Sequence, residues 1–180
     1  MPAIDMTVNI HPTPEEWKAA LEDAKRAALE RALTDRVVPS EEEAVVRDLI
    51  PSDIMDDSAK KWEQTISTEG DWNRVTPSGG KKAEDKVVAI VGLKFRNPEP
   101  KVNAIRFTEG PNDTAVKAQF FFEGALGNDN PEVLFNSLVM YKKGAQFNVY
   151  LQGIKTGTDN VVLVGVVVEP AGKWVSPPKG

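Results

Sequence analysis

The chain contains no cysteine, so structural disulfides and thiolate chemistry are closed to it. It has a single histidine, His11, beside Pro12 near the start of the sequence. A histidine-based triad or a multi-histidine metal site therefore cannot be assembled within one copy. No apolar run approaches the roughly 20 residues that cross a bilayer as a helix, so no transmembrane segment is expected. The opening "MPAIDMTVNI" has neither the basic nor the apolar region of a signal peptide, and none is expected. Basic residues are in deficit as well. A formal net charge of -5 argues against a general nucleic-acid binder, which needs a cationic face for phosphates, so no direct nucleic-acid partner is expected.

Motifs for catalysis are equally scarce. The "GGKK" at Gly79 to Lys82 lacks the glycine spacing and the following Ser or Thr of a phosphate loop, and reads as a hinge. "SDIMDD" brings Asp53, Asp56 and Asp57 together without the glycine turn of a calcium loop; acids there suit the start of a helix. Glu123, Asp129 and Glu132 are carboxylates near strand ends, but paired-carboxylate hydrolysis needs a fixed separation that sequence does not supply. "NDT" at Asn112 fits a glycosylation sequon by pattern alone. The reading is a non-enzyme with no catalytic residue, metal or cofactor assigned.

What is present divides into two kinds of sequence. Residues 12–66 hold 8 basic and 14 acidic side chains, while the remainder is close to neutral. The acidic half reads as helices. "TPEEW" offers Thr13 as N-cap, Pro14 at the first helical position and Glu16 as the reciprocal acid. Trp17, Leu21, Ala24 and Ala28 then form one narrow apolar stripe. A second helix is expected from Ser40, carrying Val45, Val46, Leu49 and Ile50 up to Pro51. A third is expected from "SDIMDD", with Met55, Ala59, Trp62 and Ile66 at helical spacing.

The second half reads as strands. Six are expected: Val87 to Phe95, Val102 to Phe107, Ala115 to Glu123, Val133 to Tyr141, Ala145 to Ile154 and Val161 to Glu169. Turn-rich breaks such as "NPEP", "EGPND" and "TGTDN" separate them, which points to an antiparallel sandwich or barrel. The expected fold class is α+β: N-terminal amphipathic helices followed by an antiparallel, jelly-roll-like β-sandwich. The expected organisation is an arm and helical segment over 1–66, a linker or loop over 67–85, a β-sandwich over 86–170 and a tail over 171–180.

Two strands carry the functional question. Val161 to Val168 is apolar on both faces, so something must cover each side. Val162, Val164, Val166 and Val168 are expected inside the sandwich, with Val161, Leu163 and Val167 facing the helices or a neighbouring subunit. In the strand from Ala115 to Glu123, Val116, Ala118, Phe120 and Phe122 share a face, which leaves Phe121 on the polar side. Trp72 in a polar stretch and Trp174 in "GKWVSPPKG" either plug their segments onto the sandwich or anchor a neighbour. Phe121, Leu163, Val167, Trp174 and Trp72 are therefore the candidate subunit contacts.

From the order of short strands over Val87 to Pro170, and the closing "FNVYLQG…VVLVGVVVEP" pair, the chain resembles a single jelly-roll viral capsid protein. The resemblance implies two four-stranded sheets, a virion shell built by self-assembly in the host cytoplasm, and partners that are copies of itself and other structural subunits. A decoration or minor capsid protein has the same style. Six strong strands are read where that family has eight; "DMTVNI" and "WNRVT" are candidates for the rest. The alternative function is a carbohydrate- or ligand-binding sandwich, a soluble cytoplasmic protein using Tyr150 with Asn148 and Gln152 on the wet face of an alternating strand.

Overall fold

A capping box starts the first long element, as the sequence requires. In a computed structural model that describes residues 4–172, helix α1 spans Pro14–Thr34. The Glu16 amide donates to the Thr13 hydroxyl at 3.2 Å, and the Thr13 amide donates to the Glu16 carboxylate at 3.0 Å. The buried stripe is Trp17, Ala24, Ala28 and Ala32. Three alanines in line let the helix lie close to whatever it covers.

The two further helices expected from the sequence are not there. Ser40 makes no side-chain cap; residues 41–43 form one tight turn and the chain then extends. Of the remainder, only Pro51–Ile54 is helical, a single turn called α2. Two β-branched valines and an available sheet edge win over helical spacing. Past α2, the Asp56 carboxylate accepts from both the amide and the hydroxyl of Ser58, at 3.1 and 3.0 Å. That local turn stops a third helix from forming.

Twelve strands are described: β1 Val8–Ile10, β2 Ala44–Asp48, β3 Gln64–Ile66, β4 Trp72–Arg74, β5 Lys81–Lys82 and β6 Val87–Phe95, then β7 Val102–Glu109, β8 Ala115–Phe121, β9 Glu132–Tyr141, β10 Gln146–Gly153, β11 Gly157–Asp159 and β12 Val161–Pro170. All six expected strands are present, and β1 and β4 arise from "DMTVNI" and "WNRVT". The stretch read as a linker holds β4 and β5, both paired to β10.

Every pairing is antiparallel. One sheet runs β1-β9-β6-β12-β2 and the other β4-β10-β7-β8, with β5 also on β10 and a small β3–β11 pair apart. The pairings nest: β7 with β8 innermost, then β6 with β9, β4 with β10, and β2 with β12 outermost. The sheets face each other across a core to which both contribute, including Ile90, Leu93, Ile105, Phe107, Phe120, Phe135 and Leu163. Phe120 stacks on Phe135 at 4.0 Å between centroids, and Phe107 meets Phe135 edge-on at 5.9 Å. These rings stitch one sheet to the other.

Helix α1 covers the outer side of the first sheet, over Val87, Ala89, Val91, Leu134, Val166 and Val168. This answers what covers the double-faced strand, and it inverts the expected sides. Val161, Leu163 and Val167 point between the sheets, while Val166 and Val168 point at the helix. "VVLVGVVV" offers no polar residue to choose a face, so its partner strand decides. That partner, β6, carries a bulge: the register on β12 steps from Gly92 to Ile90, leaving Val91 unpaired. Gly92 sits under Trp17, where a Cβ would lie 2.7 Å from the indole and 2.3 Å from the Val133 carbonyl oxygen. Only glycine fits there.

Candidate functional site

The side of β4-β10-β7-β8 that faces away from the core collects most of the polar aromatic residues singled out above. Phe147, Val149 and Leu151 point into the core, so Asn148, Tyr150 and Gln152 point outward. Register then builds rows across the strands. Tyr150 is opposite Arg74 on β4 and Arg106 on β7, and Arg106 is opposite Gln119 on β8. One row further along, Gln152 lies between Trp72 and Ala104, and Ala104 lies opposite Phe121. The candidate contacts Phe121 and Trp72 thus share one surface with the candidate ligand residues Tyr150, Asn148 and Gln152.

Local contacts fix this surface. The Arg106 guanidinium lies 4.1 Å from the centre of the Trp72 ring, and its Nε donates to the Gln119 Oε1 at 2.7 Å. Asp113 closes one end. It accepts from the Thr108 hydroxyl at 2.6 Å, from the Asn148 side-chain amide at 2.9 Å and from the Tyr150 hydroxyl. To get there the turn after β7 places both Asn112 and Asp113 at a φ of 56°. Two adjacent non-glycine residues in that region cost about 1–2 kcal/mol each. Such strain persists only where surrounding contacts hold it, as the three donors to Asp113 do here.

The charges follow from these contacts. Partial burial pushes the Asp113 carboxyl up, but the hydrogen bonds from Thr108, Tyr150 and Asn148, with the charge of Arg74, outweigh it and hold the group below its usual range. Desolvation, then the bond to Asp113 and its negative charge, push the Tyr150 hydroxyl up to about 12 against the opposing pull of Arg74 and Arg106. Tyr150 is therefore a neutral donor at neutral pH, and the surface carries two guanidinium groups against one carboxylate.

Other sequence-predicted contact residues lie elsewhere. Leu163 is 3% exposed and Val167 fully buried, both between the sheets, so neither is on the outside of this chain. Trp174 lies outside the described residues. Phe121 is 56% exposed, so no described helix buries it. Val116, expected on the buried side with Ala118, is 54% exposed, because β8 steps register between Ala118 and Val116 and leaves Lys117 unpaired.

The three aspartates of "SDIMDD" do not converge. Asp53 is buried with Arg47 at 2.8 Å and Lys86 at 3.0 Å, Asp57 pairs with Lys81, and Asp56 turns back on Ser58. Arg47 also holds Glu169 at 2.7 Å, so this network locks α2 to β2 and β12. Among the described residues no three His, Asp or Glu side chains gather in a way that holds a metal ion. Nor is any described helix long and apolar enough to cross a membrane. A depression of about 610 Å³ lies on the other sheet beside Trp17 and Lys94. There the Trp17 indole donates to Glu132 at 2.8 Å, Lys94 sits 4.9 Å over the same ring and Lys25 lies 3.7 Å from Glu22.

Comparison with protein-family models, curated proteins and solved structures finds no match in any of the three. What the chain does is therefore argued from its own geometry. Sequence reasoning missed Arg74, Arg106, Gln119 and Asp113. The first three occupy outward positions on strands that only register brings together. The fourth depends on a left-handed turn after Gly110, and "GPND" is its only local signal.

Proposed function

We propose that this chain is a structural, self-assembling protein, a jelly-roll shell subunit of the kind that tiles a virion. The nested pairings support the roll. Taking β2, β4, β6, β7, β8, β9, β10 and β12 as a series of eight, first pairs with last, second with seventh, third with sixth and fourth with fifth. One long antiparallel ribbon wound around a core gives that order, and it places four of the strands in each sheet. Strands β2 and β4 are the two that the sequence count lacked.

A fold does not by itself give a function. The observation that carries assembly is the apolar rim at one edge of the sandwich. Strand β8 ends its sheet, with Phe121 and Val116 exposed along it. Strand β1 carries the exposed Ile10 to the same side, where its Cδ1 is 3.2 Å from the Cβ position of Gly124, just beyond β8, and the arm before it leaves Ile4 and Met6 exposed as well. Exposed apolar side chains beside an unpaired strand edge suit a second copy of the chain.

Light scattering of the protein across concentration and salt tests this reading. A mass well above the 19.7 kDa monomer is expected, falling to the monomer in Phe121→Asp with the thermal midpoint unchanged. A monomer at every concentration would refute self-assembly.

A further inference from the structure

Arg74 and Arg106 stand on either side of Tyr150 in one cross-strand row. Strand spacing puts their Cα atoms about 10 Å apart, within reach of each other's side chains over the tyrosine ring. Arg106 spends its Nε on Gln119 and one face of its guanidinium plane on Trp72. No hydrogen bond or ion pair to its terminal nitrogens, or to any atom of the Arg74 guanidinium, is made among the described residues. Asp113, the nearby carboxylate, accepts instead from three neutral donors, Thr108, Asn148 and Tyr150. Two guanidinium groups therefore face outward with open donors in a fork geometry that matches a carboxylate.

The ground between them has a second character. Tyr150 and Trp72 are half-buried rings on the same face, and Gln152 lies between Trp72 and the small Ala104. Aromatic faces bordered by amides receive the apolar side and the hydroxyl edge of a sugar ring. A nucleic-acid strand fits poorly, because phosphates along a backbone need a track of cations. Here two guanidinium groups stand in one row with Asp113 beside them, and Lys82 is set apart at the Gln146 end of β10, on a chain of net charge -5.

We propose that this outer face binds an acidic saccharide, with its carboxylate between Arg74 and Arg106 and its sugar ring against Tyr150. The site uses Arg74, Arg106 and Tyr150 rather than Phe121, although it lies on the same face of that sheet. It selects for charge first and ring shape second. A neutral sugar leaves both arginines unmatched, and a bare anion leaves the tyrosine face uncovered.

The test is a titration of the full chain, followed by tryptophan fluorescence and calorimetry, with tri-galacturonate, uncharged galactotriose, inorganic phosphate and a short oligothymidylate. Tri-galacturonate is expected to saturate with a Kd of about 0.1–1 mM, the range open to one carboxylate clamp with a ring contact. Galactotriose and phosphate are expected at least about tenfold weaker, and added salt should weaken the acidic ligand. Arg74→Ala, at an exposed position, should fold normally and lose about tenfold, and Arg74→Glu should abolish binding. Equal binding of galactotriose, equal or tighter binding of phosphate or oligothymidylate, or undiminished binding by a folded Arg74→Glu overturns the proposal. So does the absence of any saturable response to tri-galacturonate.

Discussion

Replacing Trp17 with alanine should detach helix α1 from its sheet more effectively than any other single change on that helix. The indole is 6% exposed, lies on the Cα of Gly92, donates to Glu132 at 2.8 Å and has Lys94 at 4.9 Å from its ring centre. A buried Trp→Ala change costs about 3–5 kcal/mol through lost transfer energy and the cavity left behind. Here the upper end applies, because the floor of the cavity is a glycine with no side chain to move into it. Nor can a larger residue at Gly92 refill it, since its Cβ would strike the Val133 carbonyl oxygen at 2.3 Å. With a urea slope of about 2 kcal/mol/M, the unfolding midpoint should drop by about 2.5 M. Trp17→Phe keeps most of the apolar ring and loses the indole donor, so a loss of about 1 kcal/mol is expected. The assay is urea unfolding followed by far-ultraviolet circular dichroism, which does not depend on the deleted fluorophore. A loss below about 1 kcal/mol for Trp17→Ala would refute the reasoning, because α1 would then contribute little to the cover of β6 and β12.

Leu163→Asp should leave little folded protein, since Leu163 lies between the sheets, whereas Phe121→Asp should purify as a folded species; paired dichroism spectra separate the two. Asp53→Ala should cost about 3 kcal/mol in chemical unfolding, because it leaves Arg47 and Lys86 short of a buried partner. The same carboxylate gives a pH signature. Burial raises Asp53, but the hydrogen bonds from Arg47 and the Ile50 amide, with the charges of Lys86 and Arg47, bring it below its ordinary 3.8. Its stabilisation is then whole above pH 3.8 and lost as pH falls through the lower folded value, so the urea midpoint should hold to about pH 4.5 and decline below it. Asp53→Asn should flatten that decline; an unchanged acid limb would place its origin elsewhere.

Much of the strand half was legible because each segment carries its own evidence. Strand β6 has the bounds expected of it, Val87 to Phe95, and β10 sends Phe147, Val149 and Leu151 into the core as its alternation predicts, although Asn148 on the other face is also buried. Helix α1 was legible for the same reason, since its cap, first-turn acid and stripe all lie between Thr13 and Ala28. Failures came where a distant partner decides. Val45 and Val46 pair with Glu169 and Val168, and nothing near Ser40 signals that partner. The faces of β12 turn on a bulge in β6, which an apolar run cannot encode by itself. In the candidate site, Tyr150, Asn148 and Gln152 are visible from one alternating strand, but Arg74 and Arg106 come from two others. Each looks like an ordinary solvated cation until register sets them on either side of one tyrosine.

The pairing of β2 with β12 has a consequence for how the molecule is made. Ala44 meets Pro170, so the first sheet cannot be completed until residue 170 has left the ribosome. Before that, β6 offers a bare edge over Val87 to Phe95, and α1 has no Val166 or Val168 beneath it. A long apolar edge of that kind recruits other chains, and pairing so remote in sequence closes slowly. Chains stalled before residue 161 are thus expected to aggregate rather than wait, and arrival of β12 is the event that closes that edge.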